Sequence, residues 1–95
     1  MKGYVVCVYK NISNEEKLKE YALKAKVAVE KFKGKILIRG GRATSNEGEK
    51  SPRTVVIEFP SYDEANNFYR SEDYQNAHSI LKGHAERQHQ TLEGL

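Results

Sequence analysis

Ninety-five residues carrying 16 Lys and Arg against 13 Asp and Glu leave a net charge of +3, too small and too scattered to mark a nucleic-acid surface. Hydrophobic content of 38% beside 31% charged residues fits a small domain with much surface and a thin core, to which self-association would add apolar burial. The single cysteine, Cys7, excludes an internal disulfide, and no apolar run is long enough for a signal peptide or a bilayer span, so the expected location is cytoplasmic, with no membrane partner.

Tyr4 to Tyr9, YVVCVY, is apolar at successive positions, which predicts a strand covered on both faces, with Cys7 as a small hydrophobe within it. Ser13 with Glu16 reads as a capping box ahead of Leu18, Tyr21, Ala22, Ala25, Val29 and Phe32, spaced by three and four. The helix so defined turns lysines outward, and Gly34 stands where a left-handed residue would end it. Lys35 to Arg39 forms a second strand. Gly40 and Gly41 then predict a bend, and Thr44 to Pro52 a long polar loop.

Thr54 to Phe59 is rich in β-branched residues and stops at Pro60, which lacks the N–H to continue a ladder. Ser61 and Glu64 form a second capping box ahead of Ala65, Phe68 and Tyr69. Ser71 offers a further N-cap leading to Tyr74, Ala77, His78 and Leu81, so the second helical region breaks in two and ends near Gly83. Glu86 to Leu92 reads as a polar fourth strand. The order βαββαβ, its second helix split, predicts one ferredoxin-like domain over residues 1–95 with an antiparallel sheet.

The run VVIEFPSYDEANNFYRSEDYQNA, together with the opening KGYVVCVYK, the FKGKILIRGGR stretch and the closing LEGL, resembles the domain of unknown function 1330 family over most of the chain. The resemblance implies a ferredoxin-like fold that pairs into a dimeric α+β barrel, with no established activity. The polar last strand departs from the more apolar one expected of that family.

Glu58 interrupts the apolar VVIEF strand, and a carboxylate there needs a partner or water; Arg39, ending the neighbouring strand, with Arg42 and Arg53 nearby in sequence, offers a cross-strand ion pair. His78, His84 and His89 lie six and five positions apart, matching neither a helical i, i+4 metal pair nor the short spacings of structural zinc sites. Dinucleotide-binding glycines, a P-loop and a nucleophile elbow are missing, so no cofactor is expected. Two readings follow. One is a protein that binds or transforms a small organic molecule, carboxylated by preference, at Arg39, Glu58, Tyr69, Tyr74 and His78 between sheet and second helical region, where a fresh helix N-terminus at Ser71 favours an anion. The other is a self-associating module without catalysis. A homodimer joined sheet to sheet is expected under both, because helices can cover only one apolar face.

Overall fold

Valines, Cys7 and two tyrosines between Gly3 and Ile12 form β1 (Gly3–Ile12), the central strand of the computed structural model, which describes residues 1–95. It is followed by α1 (Glu15–Lys31), β2 (Lys35–Arg39), β3 (Thr54–Phe59), α2 (Tyr62–Arg70), α3 (Glu72–Leu81) and β4 (Ala85–Glu93). The strands lie in the order β2-β3-β1-β4, every neighbour antiparallel, which is the ferredoxin-like arrangement.

Because successive strand residues face opposite ways, the register sorts the sheet into two faces. Val5, Cys7, Tyr9, Ile57 and Phe59 are buried beneath Leu18, Tyr21, Ala25, Ala28 and Val29 of α1 and Ala65, Phe68, Tyr74, Ala77 and Leu81 of α2 and α3. Tyr4, Val6, Val8, Val56 and Glu58 turn to the other face, which carries no helix and where they stay half-buried among their neighbours.

Local chemistry sets the element ends. At α1 the cap is Asn14, one residue later than the sequence suggests: its side chain accepts from the Lys17 N–H at 3.0 Å. Ser13 is drawn away, its backbone N–H and hydroxyl both donating to the His84 carbonyl just ahead of β4, at 2.9 and 3.0 Å. The left-handed residue closing α1 is Lys33, at φ 62°, rather than Gly34. Gly34 serves close approach, since a Cβ there would stand 2.7 Å from both the Phe59 ring and a Val29 methyl. Ser61 caps α2 through the Glu64 N–H at 3.1 Å; the reciprocal bond from the Glu64 side chain is not made.

Ser71 splits the second helical region as expected. Its extended backbone, at φ −65° and ψ 149°, interrupts the helix, while its hydroxyl donates to the Phe68 carbonyl at 2.7 Å and accepts from the Tyr74 N–H at 3.1 Å. The break turns Tyr74 inward, where its ring lies 4.6 Å from that of Phe68 and 5.4 Å from that of Tyr69.

The two ends of the helix layer differ. Lys31 of α1 and Asp73 of α3 form an ion pair at 2.8 Å that ties those helices together. Over β2 the cover is thinner: four of its five residues are exposed, and its ladder with β3 shifts between Ile36 and Ile38.

Candidate functional site

Under α1, on the β2 side of the core, lies a cavity of about 460 Å³ walled by Val5, Ala25, Val29, Ile36, Val55 and Ile57. Its inner end is built by β4. Arg87 pairs across the ladder with Tyr9 and His89 with Cys7, so both polar side chains point under the helices, where an apolar strand would place core residues.

Arg87 is the centre of that end. One guanidinium nitrogen lies 3.1 Å from the Tyr9 hydroxyl, 3.1 Å from that of Tyr21 and 3.3 Å from the Cys7 sulfur; the other donates to the Tyr74 hydroxyl at 2.8 Å. The guanidinium carbon also lies 5.1 Å from the Tyr21 ring centre and 5.4 Å from that of Tyr9, within cation–π range. No carboxylate reaches Arg87, the ion pairs of the chain being Lys2–Glu58, Lys17–Glu20 and Lys31–Asp73. A cation drawn out of water with neutral partners alone is poorly compensated.

The phenols leave donors over. Tyr21 and Tyr74 share one hydroxyl-to-hydroxyl bond at 2.8 Å, which uses one of the three O–H protons at Tyr9, Tyr21 and Tyr74. Neither remaining proton has a carbonyl or carboxylate oxygen within the cluster. Burial pushes the Tyr9 phenol up to about 12 and that of Tyr74 further, and it likewise raises the Cys7 thiol against the opposing pull of Arg87. Around the whole cavity stand five cationic side chains, Lys19, Lys26, Arg39, Arg53 and Arg87, and no Asp or Glu. A guanidinium with phenol donors beside it is equipped to hold an oxyanion.

His89 completes the inner end, its ring 5.0 Å from Tyr69 and 5.7 Å from Tyr74. Burial, then Arg87 and His78, pull its pKa down to about 4, so at neutral pH it is an uncharged imidazole. His78, stacked on Tyr74 at 6.0 Å, is lowered by burial, Arg87 and Lys82. The folded chain then binds fewer protons than the unfolded chain between about pH 4 and the ordinary histidine value, so stability falls as pH drops through that window. Discounted for its partial exposure, His89 contributes about 2 kcal/mol to that loss. His89→Gln should flatten the fall in urea denaturation series at mildly acid pH, and a variant that tracks the parent at every pH would contradict the assignment.

The residues expected from sequence do not all meet. Tyr74 lies at the centre of the Arg87 cluster, and Tyr69 and His78 line a shallower groove of about 420 Å³ on its far side, beside Arg87 and His89. Arg39 stands at the cavity's other end. Glu58 is across the sheet, on the face without helices, opposite Tyr4 and Lys35, and its ion pair is with Lys2 at 3.7 Å instead of Arg39. The α3 N-terminus is occupied by the Ser71 side chain and flanked by Glu72 and Asp73, and none of these residues lines the cavity. Arg87 and His89 carry no inward signal in the sequence pattern, and it is the β4 register that brings them to Cys7 and Tyr9. No three His, Cys, Asp or Glu side chains gather into a metal-binding group.

Solved structures share this fold at low identity. A protein of unknown function from Rhodopseudomonas palustris superposes with a TM-score of 0.79 at 15% identity, over 99% of this chain and 82% of that one. A protein from Jannaschia sp. CCS1, described as dimeric, ferredoxin-like and of unknown function, gives 0.70 at 12% identity, over 99% of this chain and all of that one (100%). An ethyl tert-butyl ether D (EthD) family protein from Bacillus halodurans C-125 gives 0.65 at 12% identity, with 100% of both chains covered. No curated protein matches the sequence. The model of the domain of unknown function family DUF1330 matches residues 2–95, and the chain belongs to that family.

Proposed function

We propose that the cavity between α1 and the sheet is a binding chamber for a small organic anion, a carboxylate above all, seated with its charged end on Arg87 and the hydroxyls of Tyr9 and Tyr21. The observation that carries this is the lining: five cations, no carboxylate, and apolar walls between them. An anion would supply the charge that Arg87 lacks and accept the surplus phenol protons, while its hydrocarbon part would lie against Val5, Val29, Val55 and Ile57. The chemistry invokes no cofactor. A neutral His89 beside the bound group is a potential proton acceptor, which would extend binding to catalysis.

Calorimetric titration with straight-chain acids from butyrate to decanoate, and with the corresponding amides, tests the reading. The acids should bind and the amides should not. Equal heats for acid and amide would show that charge plays no part and would defeat the proposal.

Self-association is favoured by a separate observation and is compatible with the chamber. The face without helices presents Val6, Val8 and Val56, with Ile38 and Leu92 48% and 46% exposed beside them. A second copy of the chain is the partner we infer for it, as in the Jannaschia protein described as dimeric. Val56→Lys, placing a charge at the middle of that face, should halve the mass seen by light scattering while leaving circular dichroism unchanged; a parent that already scatters as a monomer would end this reading. With its one thiol buried and unpaired, the chain suits a reducing compartment, and we place it in the cytoplasm.

A further inference from the structure

The end of the chamber away from Arg87 is built as a second pole. Arg53 precedes β3 and lies beside Tyr9, whose backbone N–H donates to the Arg53 carbonyl at 3.0 Å. The backbone of Arg53 is held further by Ser51, whose hydroxyl oxygen accepts from the Arg53 N–H at 3.1 Å and lies 2.6 Å from the Tyr9 carbonyl oxygen and 2.7 Å from that of Arg53. From this fixed base the Arg53 side chain runs toward the β2 end, a guanidinium nitrogen passing 3.5 Å from where a Cβ on Gly40 would stand. Its Nε–H has no acceptor, and it is the one buried side-chain nitrogen or oxygen of the chain left without a partner. A buried donor left unmatched is a destabilising feature that a bound acceptor would relieve.

Arg39 flanks the same spot and, like Arg53, also borders the next cleft, where Lys10, Arg42 and Lys50 stand around a single carboxylate, Glu15. Arg87 and Arg53 flank Tyr9 from opposite neighbouring strands, two inter-strand steps apart, or about 10 Å at the backbone. The chamber thus has a cationic pole at each end, with Tyr9 on the sheet between them and an apolar wall from Val5, Ile36, Val55 and Ile57 alongside.

We propose that the ligand is a dianion: two anionic groups separated by an apolar body, one held by Arg87 with Tyr9 and Tyr21, the other by Arg53 with Arg39. This rests on the reading of the chamber as an anion site and adds the number and placement of charges. A mono-acid would leave the Arg53 Nε–H unmatched, whereas a diacid of the right length satisfies both poles in one molecule.

The test is calorimetry at neutral pH with α,ω-dicarboxylates from succinate through sebacate, each compared with the mono-acid of equal carbon number. The best diacid should bind at least about tenfold more tightly than its mono-acid. In the Arg39→Met/Arg53→Met double variant, shown to be folded by circular dichroism, that ratio should fall to near one. A ratio near one in the parent, or a ratio that survives in the variant, would overturn the second pole while leaving the Arg87 end intact. If neither kind of acid binds, the anion chamber falls and the dianion with it.

Discussion

Replacing Tyr74 by alanine is expected to remove about 3–5 kcal/mol of stability, the range for deleting a fully buried aromatic ring. Tyr74 is 0% exposed and packs against Phe68, Tyr69, Tyr21, His78 and His89. The hydroxyl is separable from the ring. Tyr74→Phe keeps the packing but deprives Arg87 of its 2.8 Å acceptor and Tyr21 of its hydroxyl partner, for an expected loss of about 1–2 kcal/mol. Urea denaturation of both variants separates the two contributions. Equal losses would mean that the hydroxyl carries the whole effect and that the ring repacks freely.

Arg87→Met should weaken binding of a carboxylate about a hundredfold and yet leave the melting temperature unchanged or higher. The first part follows because a charge-assisted hydrogen bond at the closed end of the chamber, worth about 1.5–3 kcal/mol, has no substitute among the remaining inner groups. The second follows because the guanidinium is drawn under the helices without a counter-ion, and methionine fills similar volume without that desolvation cost. Tyr9 and Tyr21 line the cavity, where water can take over their lost contacts, and the buried Tyr74 hydroxyl keeps its 2.8 Å bond to that of Tyr21. Calorimetry and thermal melts on the same preparations check both halves. A large drop in melting temperature with binding preserved would reassign Arg87 to a purely structural role. Arg87→Lys is a weaker control, since an ammonium cannot span the Tyr74 and Tyr9 hydroxyls as a planar fork does.

Much of the fold could be read from the chain because its punctuation is local. Pro60, Ser61 and Ser71 each act on the backbone beside them, and the strand, the capped helix and the second cap fall where those residues place them. Local pattern and structure part where a distant group competes. Ser13 looked like the cap of α1 until the His84 carbonyl, 71 positions away, claimed its hydroxyl and left Asn14 to do the work. Glu58 and Arg39 looked like cross-strand partners, but the shift in the β2–β3 ladder sets Arg39 opposite Val55 on the helix face, while Glu58 stays on the other face.

The site was harder to read than the fold for a related reason. β4, AERQHQTLE, has too little apolar pattern to reveal which of its residues point inward. Its period of two is still present: Arg87, His89 and Thr91 share one face, and Glu86, Gln88 and Gln90 the other. Beside Tyr9, Tyr21 and Tyr74, that alternation sets an inward arginine among phenols, which is the site's one sequence signature. The sequence pattern marks Tyr69 and Tyr74 as site residues, whereas Tyr9 and Tyr21 stand out only as apolar positions of a strand and a helix.

The exposed edge strand β2 is the least firmly held wall of the chamber. Ile36 and Arg39 form part of its wall, but β2 has only five residues, a shifted ladder, a partner on one side alone and the long Gly40–Arg53 connection at its end. Local openings of this sheet should begin there, while β1, held between two strands, opens last. Amide hydrogen exchange would then rank Lys35–Arg39 among the fastest strand amides in the free protein. A ligand bridging both poles would slow exchange in that segment, because the bound anion would fasten Arg39 of β2 to the interior and so couple the edge strand's breathing to ligand occupancy.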